Sequence, residues 1–192
     1  MKTLTTEFVR ERTNRHQGPV SQPKTNLHDS RVLAQELRES ITGEVRFDAG
    51  SKALYSTDSS NYRQIPIGVV VPKTREDVTN IIKICRRHGA PITGRGGGTS
   101  LAGQCCNAAV VIDFSKYLHR LIELDPQKRT ARVEPGIVYD MVNHAASAHG
   151  LAFGPDPSTH SHCTIGGMIG NNSCGVHSVM AAFAGTGSAH FG

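Results

Sequence analysis

Residues 93–104 read Thr93-Gly94-Arg95-Gly96-Gly97-Gly98-Thr99-Ser100-Leu101-Ala102-Gly103-Gln104. They follow directly on Pro91 to Thr93, a short run suited to a strand. Three successive positions without side chains let neighbouring backbone N–H groups turn toward one concavity, and Thr99 and Ser100 add hydroxyl donors. Such a nest suits a phosphate or pyrophosphate and needs no lysine. Each hydrogen bond to a charged oxygen contributes about 1.5–3 kcal/mol, so three or four give useful affinity after ordering costs. The familiar phosphate loops fit worse: a Walker loop closes with Gly-Lys-Ser/Thr, and no lysine is present here. The dinucleotide pattern G-x-G-x-x-G, begun at Gly94, meets Thr99 at its last place. Taken alone, the run also suits an ordinary surface loop, so its neighbours decide.

Upstream, Thr74 is an N-cap, Asp77 stands three residues on, and Val78, Ile81, Ile82 and Cys85 repeat with helical spacing. This predicts an amphipathic helix over 74–88, with Arg86, Arg87 and His88 at the carboxyl end of its dipole and Gly89 as its stop. Ile67 to Val71 before it is an apolar strand closed by Pro72. Downstream, Ala109 to Asp113 reads as a buried strand, and Arg120–Leu124 with Thr130–Val133 as a hairpin about Asp125-Pro126. A second helix is expected from Ile137 to His149, stopped by Gly150. From Leu151 onward Gly, Ser, Thr and Asn dominate, and a loop-rich segment is expected.

Further out, Asp29 or Ser30 caps a helix carrying Leu33, Leu37 and Ile41, followed by a short strand from Glu44 to Phe47. The polar run Ser56 to Gln64 looks like the entry to the main domain. Residues 1–27, with Gly18, Pro19 and Pro23, read as a flexible arm. The expected organisation is an arm (1–27), a helical lead-in (28–65) and a main domain (66–192).

Composition narrows the function. Of 192 residues 20 are glycine, about a tenth of the chain against a usual share of roughly 7%. The net charge is +5, but the excess is central: residues 133–192 hold no Lys or Arg at all. The central cations are dispersed rather than clustered with aromatic platforms, which argues against a nucleic-acid partner. No apolar run approaches the roughly 18 residues of a membrane span, and the start lacks the apolar centre of a secretory signal, so a cytoplasmic protein is expected. Five cysteines without a CxxC pair suggest reduced thiols, and the spacing of His160, His162 and Cys163 matches no standard zinc pattern, so no metal is expected.

A second set of segments completes the pattern: Glu134-Pro135-Gly136, then Pro155-Asp156-Pro157-Ser158-Thr159, then Cys163-Thr164-Ile165-Gly166-Gly167-Met168-Ile169-Gly170-Asn171-Asn172-Ser173-Cys174-Gly175. Taken in order with the first loop, over roughly residues 66 to 178, they resemble the PCMH-type FAD-binding domain of the vanillyl-alcohol oxidase flavoproteins. Within that family the chain looks most like the D-lactate, glycolate and D-2-hydroxyglutarate dehydrogenase branch. The resemblance implies an α+β fold of two α/β subdomains with extended FAD between them. It implies that Arg95, Gly96, Gly97, Gly98, Thr99 and Ser100 hold the pyrophosphate, with Gly103 and Gln104 beside it. Pro135 and Gly136 would line the adenine side, while Ser158, Thr164, Gly166, Gly167, Asn171, Ser173 and Gly175 would wrap the ribityl chain and flavin. Glycines permit close approach to a flat ring, and the small polar residues supply neutral donors and acceptors.

Several relatives attach flavin through a His at the place held here by Thr99, so non-covalent FAD is expected. His177 and the pair His160 and His162 could approach the flavin but have no assigned catalytic role. Cys105 and Cys106 lack a paired base and are expected to be inert. The implied chemistry is oxidation of a 2-hydroxy acid, yet the base that would take its hydroxyl proton is not visible. The family normally continues into a substrate domain, and some members add an iron–sulfur domain. The chain is therefore expected to be an N-terminal fragment whose second subdomain is incomplete, and which would need a completing chain or iron–sulfur partner and a supplied substrate domain for turnover. The alternatives are a non-catalytic fragment or a non-redox nucleotide-binding module.

Overall fold

The computed structural model describes residues 27–178. The expected arm, apart from its last residue, and the closing stretch from Val179 lie outside the described residues. The chain runs α1 (Leu27–Ser40), β1 (Glu44–Arg46), α2 (Ala49–Leu54), β2 (Gly68–Val71), α3 (Arg75–Arg87), β3 (Ile92–Arg95), β4 (Val110–Asp113), β5 (Leu121–Asp125), β6 (Thr130–Val133), α4 (Tyr139–Ser147) and α5 (Ile165–Gly170).

Four strands form one sheet in the order β1-β2-β4-β3. β2 and β3 both pair parallel with β4, while β1 lies antiparallel on the outer edge of β2. The two central strands are buried throughout and, apart from Asp113 at the end of β4, carry no polar side chain, because both faces are covered. Val70, Val110 and Ile112 point toward α1 and α3, where they meet Leu33, Leu37, Ile81, Ile84 and Cys85. Val69, Val71 and Val111 point the other way, toward Tyr55 and Tyr117.

α3 begins with a full capping box: Thr74 Oγ1 accepts from Asp77 N–H at 3.0 Å, and the Asp77 carboxylate accepts from Thr74 N–H at 3.3 Å. The same carboxylate accepts from Lys73 N–H and from Thr42 N–H and Oγ1, which ties the α1–β1 turn to the start of α3. Burial pushes this carboxyl up, but the donors around it outweigh burial and hold it below its ordinary value. Gly89 and Gly150 follow their helices with φ of 61° and 68°, the conformation expected of helix stops.

The second region is built on the antiparallel pair β5 and β6. Ile137, Tyr139, Val142, Ala146, Phe153, Cys163, Ile165 and Met168 form its core. Tyr139 Oη donates to Phe153 O at 2.7 Å, with the two rings 5.8 Å apart and tilted. Residues 135–139 run antiparallel to 163–166, joined by Tyr139 N–H to Cys163 O and Ile165 N–H to Ile137 O. That pairing occupies Ile137, so α4 starts at Tyr139 rather than at Ile137 as expected.

α1 begins at Leu27, so Asp29 and Ser30 lie within it instead of capping it, and two further helices, α2 and α5, were not expected from the sequence. α2 rests on an Asp48 cap to Ser51 N–H at 2.8 Å and buries no residue, so it carries no hydrophobic period. α5 falls inside the stretch expected to be loop. Three of its six residues are glycine, each costing about 1 kcal/mol of helix propensity against Ala, and the buried Ile165 and Met168 hold it in place.

Candidate functional site

β3 ends at Arg95 and delivers the glycine loop to the C-terminal end of the sheet. Gly98 adopts φ of 67°, a region closed to most side chains, and this reverses the chain. Its carbonyl accepts from Ser59 N–H at 3.1 Å and Ser59 Oγ at 3.2 Å. Among the described residues, the N–H groups of Gly97 to Leu101 donate to no protein acceptor. These N–H groups are left to water or a ligand, which is the local chemistry from which an anion nest can be built.

The loop forms one wall of a cavity of about 370 Å³ whose other wall is residues 157–159, Cys163, Thr164 and α5 with its following turn. A second cavity of about 450 Å³ adjoins it through Gly96, Gln104, Thr164, Gly167 and Asn171, and extends to Phe114 and Pro135. The far wall is not a second nest, since Gly166 N–H donates to Pro135 O and Gly167 N–H to Thr164 Oγ1. It offers hydroxyl and amide side chains instead. Among the described residues, Arg95 is the only formally charged one lining either cavity.

Gly96, Gly97, Gly98, Thr99, Ser100, Gln104, Ser158, Thr164, Gly167, Asn171 and Ser173 all line the first cavity, and Arg95, Pro135 and Gly166 line the second. Three expected residues line neither. A side chain at Gly103 would meet the Tyr62 ring, one at Gly136 the carbonyls of Phe114 and Leu118, and one at Gly175 those of Pro155 and Asp156. Arg95 is held from outside the loop: its Nη1 donates to Thr57 O at 2.8 Å and its guanidinium lies 5.2 Å over the Tyr55 ring.

None of the three histidines lines either cavity. His160 Nδ1 lies 2.8 Å from Asp140, His177 is 3.2 Å from Asp156, and His162 bonds Ser161 Oγ. Burial pushes the thiols of Cys106 and Cys163 up, which keeps them protonated and poor nucleophiles. Sequence reasoning missed Leu101, Cys105, Pro157, Thr159, Cys163, Met168 and Cys174 in the lining, and the bracing role of Thr57, Asp58 and Ser59. The polar run holding that brace was visible, but nothing in its spacing said what it touches.

Among the described residues no helix is long and apolar enough to cross a membrane, and no group of three or more His, Cys, Asp or Glu could hold a metal ion.

A mixed sheet that delivers a glycine loop to its C-terminal end, facing a small polar-lined region across a cleft, is the two-part architecture of a ligand-binding domain. The chain belongs to the FAD binding domain family, which matches residues 66–185. It is 35% identical over 150 residues to D-2-hydroxyglutarate dehydrogenase of Escherichia coli K12, covering 76% of this chain and 15% of that protein. It is 34% identical over 154 residues to glycolate oxidase subunit GlcD of Bacillus subtilis, covering 76% of this chain and 32% of that one. The chain therefore spans about a sixth to a third of the length of these relatives. Its fold is that of alkyldihydroxyacetonephosphate synthase, at a TM-score of 0.70 and 19% identity, over 80% of this chain and 34% of that one. It also matches 4-ethylphenol oxidase from Gulosibacter chungangensis, at a TM-score of 0.63 and 24% identity, over 77% and 30% of the two chains.

Proposed function

We propose that this chain supplies the FAD-binding part of an oxidoreductase acting on a 2-hydroxy acid, and that the cofactor is held without a covalent bond. The observation that carries the reading is the run of unpaired N–H groups from Gly97 to Leu101, facing a wall of Ser158, Thr164, Asn171 and Ser173. The nest fits the pyrophosphate, with Thr99 and Ser100 hydroxyls beside it. The neutral wall fits the ribityl hydroxyls and ring edge, and its lack of carboxylates spares the phosphates a like-charge neighbour.

When bound, FAD would accept a hydride from the α carbon of the 2-hydroxy acid. The residues here would bind and orient the cofactor and exclude water from one side of it. The chain's residues assign no base for the substrate hydroxyl and no substrate pocket, and a substrate domain and a completing or iron–sulfur partner are part of this proposal. The names of the relatives support a 2-hydroxy acid as the substrate class. Five free cysteines, four of them buried, support a reducing, cytoplasmic setting.

Titration of the 192-residue chain with FAD, following flavin fluorescence and melting temperature together with ATP as control, tests the reading. Saturable binding of FAD in preference to ATP is expected, and acid precipitation should leave the flavin in the supernatant. Preference for ATP would favour a non-redox nucleotide module. Flavin carried down with the protein would overturn the non-covalent assignment.

A further inference from the structure

The segment Tyr55–Ser59 touches the glycine loop at its start, its turn and its end. At the start, Thr57 O accepts from Arg95 Nη1 at 2.8 Å while the guanidinium stacks 5.2 Å from the Tyr55 ring. Tyr55 is itself anchored, its Oη donating to Asp113 Oδ2 at 2.6 Å, and Asp113 Oδ1 accepts from Ser115 N–H and Oγ. At the turn, Ser59 donates to Gly98 O from both its N–H and its hydroxyl. At the end, Asp58 Oδ2 accepts from Cys105 N–H at 3.4 Å while its Oδ1 accepts from Ser60 N–H at 2.8 Å. The Thr57–Arg63 bridge closes the segment on itself.

The consequence is geometric. A peptide's carbonyl and the next N–H point in opposite directions, so pinning Gly98 O toward Ser59 points the Thr99 N–H the other way. A glycine run has no side chains to fix its dihedrals and visits many conformations when unbraced, so a nest that holds its shape needs an external template. The brace lies before residue 66, outside the span that the family matches.

We propose that Tyr55–Ser59 is a positioning strap for the phosphate nest, with Asp58 and Ser59 as positioning residues that set cofactor affinity without touching the cofactor. The inference rests on the FAD-binding reading above. Its structural basis is that three separate points of one loop are held by one short segment.

The test is FAD titration of the 192-residue chain carrying Ser59→Ala, Ser59→Thr or Asp58→Ala, with the apo melting temperature and the visible circular dichroism of bound flavin measured on each. Losing one hydroxyl bond should weaken FAD binding about threefold to tenfold for Ser59→Ala, and Asp58→Ala should weaken it at least as much. Ser59→Thr, which keeps the hydroxyl, should restore both affinity and the flavin spectrum. A fall in apo melting temperature with unchanged affinity and spectrum would make the strap merely structural and overturn the proposal. If Asp58→Ala fails to fold, the Ser59 pair still decides. If the unmodified chain binds no FAD, the cofactor reading itself fails; if it binds and Ser59→Ala binds equally well, the strap alone fails.

Discussion

The two walls of the cleft are built by opposite means. The sheet wall hangs from strands β2 and β4, apolar on both faces, and from a capped helix whose carboxylate ties three elements together. The facing wall has only a two-stranded pair and a six-residue helix that is half glycine, and its shape comes from loops packed on one core. The division of labour follows. The sheet side presents backbone N–H groups without protein acceptors, and the loop side presents small neutral side chains. The two walls meet where side chains are absent: a Cβ at Gly96 would lie 1.9 Å from Thr164 Oγ1, and one at Gly97 would lie 2.2 Å from His162 O.

The contact between the walls is the first place to break this arrangement. Gly97→Val should abolish FAD binding and lower the melting temperature, because its branched side chain meets backbone that cannot swing away. Gly94→Ala, on β3 at the edge of the second cavity and only in ordinary contact with Phe114, should leave the melting temperature unchanged and weaken FAD binding far less. Equal losses in both would mean that the loop, not its contact with the facing wall, is what glycine protects.

Core truncations should then separate the walls. Ile81→Ala in the sheet core and Met168→Ala in the loop core each remove a buried side chain and should cost about 2–5 kcal/mol in denaturant unfolding. Only Met168 also lines the cleft, so Met168→Ala alone should weaken FAD binding by the protein that remains folded. If Ile81→Ala weakens it equally, the two walls are less independent than their construction implies.

A smaller effect tests the sheet side's electrostatic tie. Asp77→Ala removes the capping box and the bonds from Thr42 and Lys73, and should cost about 2 kcal/mol at neutral pH. The carboxyl is held below its ordinary value in the folded chain, so its contribution is full above the unfolded carboxylate pKa and fades as pH falls through the lower folded value. Unfolding curves of the two proteins should therefore converge in acid, and a gap that widens there would contradict the assignment.

How much of this was legible in the sequence divides along the same line. The sheet wall was readable because burial on both faces writes an apolar run, and because Thr74, Asp77 and Gly89 mark a helix by local chemistry. The facing wall was readable as chemistry but not as structure. Ser158, Thr164, Asn171 and Ser173 were named from a motif, whereas α5 was hidden by its glycines. Gly103, Gly136 and Gly175 line neither cavity, and a Cβ at each would meet the chain itself, a contact that nothing in their sequence setting announces. The strap at Tyr55–Ser59 was invisible because its partners lie roughly 40 to 60 residues away in the chain.

The smallest effect lies at the outer edge of the sheet wall and asks whether that wall depends on charge away from the cleft. The Glu44 carboxylate on β1 accepts from Lys116 Nζ and Tyr117 Oη, each at 2.6 Å, and pairs with Arg46. These partners, Lys116 first, pull its pKa from 4.5 to about 2 against the opposing effect of burial. A depressed carboxylate stabilises the fold above its unfolded value and loses that contribution as pH falls from about 4.5 toward about 2. Because the pairs are partly exposed and solvent screens them, Glu44→Gln should cost only about 1 kcal/mol at pH 7. The cost should shrink in acid and in high salt, and FAD affinity should not move, since Glu44 lines neither cavity of the cleft. A change in affinity without a change in stability would mean that β1 and the segment at Lys116–Tyr117 steer the cleft, and the clean separation of a load-carrying sheet from a ligand-shaping loop would have to be given up.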